Sequence, residues 1–283
     1  MILLLAPCFG CQSHWSSEQQ VLERLRQLEK EQGWRILVQS RGVNYLDIAT
    51  RSLTPVYLAP SNTIDASYVG EASFNPDGTR ITFAENWGKE RALMVFDLIE
   101  RKNEPLLTMP YIYGARWSPN GKEIAFQGRS GHSGNYSLYV YRLSDQQLSM
   151  IVEKDLRGVG FLSCWGRDGK TIVYEDSEGN IRIIDLQSRK RKKLDKGWEP
   201  TWSPNGRYIA YAAEGGGNPG FIIYDLQTDR KESILAGKWI LGGLIWSPDS
   251  RYLVHTRASR GFWDYVVAFL GETRYGDLYV LDL

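Results

Sequence analysis

Cysteine and histidine are scarce in this chain of 283 residues, with three of each. Three cysteines (Cys8, Cys11 and Cys164) give no disulfide framework. Cys8-x-x-Cys11 has the spacing of a redox pair or half a zinc site, but no second such pair and no histidine cluster accompanies it. One-sided charge is missing as well. Lys plus Arg number 34 and Asp plus Glu 33, so there is no global basic field of the kind nucleic-acid binding needs. The local exception, Arg189–Lys193, suits a solvated hairpin, with an anionic partner such as lipid headgroups as the alternative. No apolar run is long enough for a membrane-spanning helix, and no Gly-x-Ser-x-Gly elbow marks a hydrolase.

What the chain does have begins with a short apolar leader, MILLLAPCFGCQSHW. Its small residues and cysteines resemble the end of a bacterial lipoprotein signal without the positive front. Residues 1–15 are therefore a candidate secretion leader, with Cys11 first and Cys8 second as lipidation candidates; an N-terminus of no consequence is the alternative. Residues 16–33 read as an amphipathic helix. Ser17 and Gln20 form a capping box, Val21, Leu22, Leu25 and Leu28 share a face, and Gly33 stops it.

From Trp34 the pattern shortens to alternating strands, and the chain repeats itself. The phrases FNPDGTRITF (from Phe74), WSPNGKEIAF (Trp117), WGRDGKTIVY (Trp165), WSPNGRYIAY (Trp202) and WSPDSRYLVH (Trp246) align. Each is followed by a second phrase: LMVFDL at 93–98, LYVYRL at 138–143, IRIIDL at 181–186, FIIYDL at 221–226 and LYVLDL at 278–283. Pro fixes φ at the first corner of a turn, Asn or Asp tolerates the second, and Gly accepts the left-handed position that closes it. A four-stranded unit recurring every forty to fifty residues is the pattern of a β-propeller blade. The expected fold is all-β, a six-bladed propeller over 34–283. Its first unit lacks the innermost strand and its last the outermost, with Ser52–Leu58 or the segment before the helix as candidates to close the ring.

Phrases of the form WSPDGxxIAF…LYxxDL resemble the TolB-type, WD-like propeller repeat, over nearly the whole chain beyond the helix. The resemblance is to the propeller part only, without the α/β domain that precedes it in TolB. It implies a periplasmic or outer-membrane-anchored protein of the bacterial envelope. The implied role is binding another envelope protein, such as a peptidoglycan-associated lipoprotein, as a monomer with no chemistry and no cofactor. A polysaccharide-binding or polysaccharide-cleaving propeller resembling oligogalacturonide lyases is the rival. A cytoplasmic scaffold follows if the leader means nothing.

Binding usually resides on loops held by a rigid scaffold. The irregular segments fall between second and third strands and between blades, and so on one face. Exposed Trp, Tyr and Arg are frequent interface anchors. The candidate partner-binding residues on that face are Trp87, Tyr113, Arg129, His132, Tyr136, Arg157, Trp198, Trp239, Trp263 and Tyr265, with Tyr111 in the same inter-blade segment as Tyr113. The insertion over 258–276 carries the last two, as a docked element or an exposed one. His14, His132 and His255 are too dispersed to suggest a catalytic site. Glu85, Glu175 and Glu214 follow second strands, which places them toward the channel mouth, with nothing that pairs them specifically. The Asp residues of both phrases are explained by turn geometry, and no metal site is expected.

Overall fold

The computed structural model describes residues 36–39, 42–46, 53–58, 72–87, 89–131, 134–156, 163–215, 218–236, 240–247, 249–257 and 277–282. The leader, the 16–33 helix and the 258–276 insertion lie outside the described residues. Those described are all-β, in six antiparallel sheets. The first sheet holds β1 (Ile36–Gln39), β2 (Gly42–Leu46) and β3 (Leu53–Leu58). The second has β4 (Ser73–Phe74), β5 (Arg80–Trp87), β6 (Glu90–Asp97) and β7 (Lys102–Met109). In the third are β8 (Tyr111–Trp117), β9 (Glu123–Arg129), β10 (Tyr136–Arg142) and β11 (Gln147–Leu156). The fourth comprises β12 (Ser163–Trp165), β13 (Thr171–Glu175), β14 (Asn180–Asp185) and β15 (Arg191–Lys196). Next come β16 (Trp198–Trp202), β17 (Tyr208–Gly215), β18 (Asn218–Asp225) and β19 (Arg230–Ala236). The last sheet has β20 (Ile240–Trp246), β21 (Tyr252–Arg257) and β22 (Asp277–Asp282). In every sheet strands neighbour each other in chain order. Of the two candidates to close the ring, Leu53–Leu58 forms β3, the third strand of the first sheet, and the segment before the helix lies outside the described residues.

The repeated phrase folds the same way wherever it occurs. In WSPNGKE the amides of Lys122 and Glu123 donate to Asn120 Oδ1 (2.9 Å) and Ser118 Oγ (3.0 Å), while Gly121 at φ 69° donates to the Ser118 carbonyl. In WSPNGRY, Asn205, Ser203 and Gly206 take the same roles. The fourth sheet has Gly166 in place of the serine, and the Thr171 hydroxyl turns to Asp168 instead, at 3.0 Å. The serine is buried, and its hydroxyl completes the turn.

The outermost pairings share an irregularity. In the second to fifth sheets the register slips by one residue between the first and second residues of the second phrase: Leu93/Met94, Leu138/Tyr139, Ile181/Arg182 and Phe221/Ile222. The residue left over on the outer strand is Leu106, Ile151, Leu194 or Ile234, each half-buried. Each outer strand thus spends an extra residue on turning an aliphatic side chain inward, and the bulge sharpens its twist.

The chain divides into two compact units. One comprises 37–44 and 55–202; the other takes in 45–54 and 203–283. Within the first unit, neighbouring sheets pack face to face. Alternation along β9 sends Ile124 and Phe126 toward the second sheet, where they meet Ala84, Leu93 and Val95. It sends Ala125 the other way, into a cluster with Leu138, Val152, Trp165, Ile172 and Tyr174. Trp165 seals that contact by donating its indole N–H to the Arg116 carbonyl at 3.1 Å. Full burial of Phe126 contributes about 2–3 kcal/mol. In the other unit, Tyr208 stacks on Trp246 and the Asn205 amide donates to Ser250 Oγ.

Candidate functional site

The loops between second and third strands, and the crossings from one sheet to the next, lie at the same end of the second and third sheets. There the ends of β5 and β9 meet the starts of β6, β8 and β10. Five side chains converge. The Arg91 guanidinium lies 4.1 Å from the ring centre of Tyr113 and 5.8 Å from that of Tyr111. Arg129 lies 4.2 Å from the ring centre of Tyr111 and 4.9 Å from that of Tyr136. Tyr113 meets Tyr136 edge-on at 5.5 Å. The contacts form a closed circuit, Arg91–Tyr113–Tyr136–Arg129–Tyr111, which holds two positive charges among three rings.

Backbone contacts fix both cations. Arg129 Nη1 donates to the Gly134 carbonyl at 3.1 Å, and Arg91 Nη1 to the Ile112 carbonyl at 3.4 Å. Each cation–ring contact is worth about 0.5–2 kcal/mol, more as water is excluded. Tyr136 is buried, Tyr111 and Tyr113 half-buried. Burial, followed by the neighbouring Tyr113, pushes the Tyr136 phenol up to about 12, so it stays neutral at physiological pH. The arrangement is a rigid cationic-aromatic surface that can donate hydrogen bonds.

Of the ten partner-binding candidates, the structure brings three together: Tyr113, Arg129 and Tyr136. Trp87 ends β5 at the same end of the sheet, in register with Glu90. Trp198 lies half-buried on β16, outside the circuit. His132, Arg157, Trp239, Trp263 and Tyr265 lie outside the described residues, as do Cys8 and Cys11. Tyr111 and Arg91 complete the circuit. Arg91 stands two residues before LMVFDL, as Tyr136 stands two before LYVYRL, so the repeat itself marks the position.

Of the acids expected near the channel mouth, the side chain of Glu214 lies outside what the structure describes. Glu85 is buried and accepts from the Tyr57 hydroxyl, 2.9 and 2.8 Å from its two oxygens; burial raises its pKa against that hydrogen bond. Glu175 is buried too. Asp176 is buried, with its carboxylate taken by Asn180 and Arg182. Asp97, Asp185 and Asp225 cap the turns that follow them, as turn geometry predicts. Cys164 is a free thiol whose pKa burial raises. Among the described residues, no group of three His, Cys, Asp or Glu is placed to hold a metal.

No protein-family model matches the chain. The Tol-Pal system protein TolB of Alcanivorax borkumensis is 43% identical over 91 residues, which are 32% of this chain and 20% of that protein. The crystal structure of TolB from Acinetobacter baumannii superposes with a TM-score of 0.66 at 18% identity, covering 84% of this chain and 61% of that one. This chain resembles the propeller of TolB. The match to the curated TolB thus spans a fifth of that protein, and the chain spans about three-fifths of the solved one. An oligogalacturonate lyase in complex with manganese superposes with a TM-score of 0.56 at 14% identity, covering 77% of this chain and 68% of that one. At such identities the solved structures speak for the propeller fold alone.

Proposed function

We propose that this chain is a non-enzymatic, six-bladed TolB-like propeller that mediates protein–protein interaction in the bacterial cell envelope. Its place is the periplasm or the outer membrane, held there by a lipid on Cys11 or Cys8. Its partner is an envelope protein, with a peptidoglycan-associated lipoprotein the first to test. The observation that carries the reading is the Arg91–Arg129–tyrosine circuit. Interfaces draw their energy from a few Tyr, Trp and Arg anchors held by a rigid frame, and the frame here is two packed sheets. The 43% identity with TolB over 91 residues supports the setting.

The test is photo-crosslinking in a living diderm bacterium. A photoreactive residue replaces Tyr113 in one variant. In the control it replaces Ile99, which is 75% exposed on the turn after Asp97 and Leu98. Recovery of one envelope protein from the Tyr113 position and not from Ile99 supports the reading. Recovery of glycan alone, or of nothing from either position, removes it and favours a polysaccharide ligand.

A further inference from the structure

The circuit of arginines and tyrosines has donors that the fold itself does not use. Arg129 Nε is buried and has no hydrogen-bond partner among the described residues. Gln127 lies two residues before it, on the same face of β9, and pairs in register with Tyr113. The Gln127 side chain is 0% exposed, yet neither its Nε2 nor its Oε1 is hydrogen-bonded among the described residues. On the facing sheet, the buried hydroxyl of Tyr174 is without a partner among the described residues as well. A buried polar group left unpaired costs about 1–3 kcal/mol, and most proteins keep few of them. Here Arg129 and Gln127 adjoin on one strand, beneath a doubly cationic surface.

We propose that the circuit is a receptor for a carboxylate presented by a protein partner, an aspartate or glutamate side chain flanked by apolar residues. The proposal rests on the protein-binding reading above and names its chemistry. A guanidinium donates in its plane and stacks through its faces. Arg129 lies over the rings of Tyr111 and Tyr136 and gives one Nη1 hydrogen to Gly134, while its buried Nε–H, unpaired among the described residues, is satisfied only when an acceptor displaces the cover over that edge. A carboxylate takes such an edge with short, charge-assisted bonds. Apolar flanks on the partner would cover the half-buried rings of Tyr111 and Tyr113. A sugar ring is a poorer occupant. Sugars lie flat on open aromatic faces, whereas guanidiniums lie over these rings, at 4.2 Å for Tyr111 and 4.1 Å for Tyr113.

The purified full chain, with 15N-labelled arginine, is titrated with four probes while the Nε–Hε signals of Arg91 and Arg129 are followed. The probes are a short capped peptide with two aspartates between phenylalanines, its asparagine twin, trigalacturonate and inorganic phosphate. The aspartate peptide alone should shift both signals saturably, and R129Q should weaken it about tenfold, or 1.4 kcal/mol. R91Q provides the same comparison if R129Q fails to fold. Equal shifts with phosphate or trigalacturonate, no shift with any probe, or undiminished peptide binding in both variants overturns the proposal. If Tyr113 crosslinks to an envelope protein while the peptide leaves both arginines unmoved, the carboxylate assignment falls and the protein-binding reading stands. If the peptide binds and crosslinking captures nothing, the carboxylate chemistry of the site stands and its assignment to an envelope-protein partner falls.

Discussion

Glu123 and Arg142 face each other across β9 and β10, with Oε1 and Nε 3.3 Å apart. The second sheet holds Arg80 and Asp97 at the same two positions, paired at 3.2 Å with the charges reversed. In these two sheets the position carries a complementary pair of either sign, whereas the fourth and fifth place Thr171 and Tyr208 opposite Asp185 and Asp225. The double reversal E123R/R142E should retain most of the stability that each single reversal loses. A double-mutant cycle by urea denaturation should give a coupling of about 0.3–1 kcal/mol, modest because Arg142 is 46% exposed. A coupling near zero would reduce the alternation to coincidence.

The turns joining third and fourth strands place non-glycine residues in the left-handed region: Arg101, Gln146, Arg189 and Asp229, with φ between 56° and 59°. An L-residue there is strained by about 1–2 kcal/mol. Replacing exposed Gln146 by Gly should raise stability by about 0.5–1 kcal/mol, since glycine's looser unfolded chain offsets part of the gain. Asp229→Gly should gain nothing, because Asp229 also accepts from the Tyr224 hydroxyl. Melting temperatures of the two variants decide it.

Gly166 is the one glycine where the other copies of the phrase carry Ser or Asn. A Cβ on it would meet Thr171 Oγ1 at 2.2 Å and Trp202 at 3.2 Å. Restoring the commonest spelling with Gly166→Ser should therefore destabilise, by about 1–2 kcal/mol, as Thr171 gives up Asp168. Adding Thr171→Glu, the residue found at Glu123 in the third sheet, should recover part of the loss. Urea midpoints of the single and double variants provide the measurement.

Tyr136 ionises near pH 12 in the folded chain and at the ordinary 10.0 when unfolded. The folded state therefore holds the phenolic proton longer. The stabilisation is fully present below pH 10.0 and is lost as pH rises toward 12. Tyr136→Phe should flatten that part of the stability profile, measured by urea denaturation at a series of alkaline pH values. An unchanged slope would mean that burial does not hold this phenol neutral.

The strands and hairpins could be read from the repeat because each is set locally. Pro-Asn-Gly dictates its turn wherever it falls, and an alternating run dictates its buried face. The outer-strand bulges were not legible, since Leu106 and Ile151 look like ordinary strand residues until their partners are known. The site was partly legible for the same reason. Loop composition pointed to Tyr113, Arg129 and Tyr136, but a cation above a ring is a relation between strands far apart in sequence. Arg91 belongs to a different sheet from Arg129, and only packing shows that Tyr111 touches both. The pairing of Glu85 with Tyr57, 28 positions earlier, has no sequence signal beyond the two residue types.

The slipped register on the outer strands has a bearing on self-association. An approaching strand can extend a sheet only if its donors and acceptors keep step with the rim it meets, and every rim from the second to the fifth sheet changes step midway. Another copy would have to carry a matching irregularity at the same height, in the opposite sense, to dock along the whole strand. The residue that each outer strand gives up to the core therefore also acts as a defence, because it leaves these rims poor templates for growth into fibres.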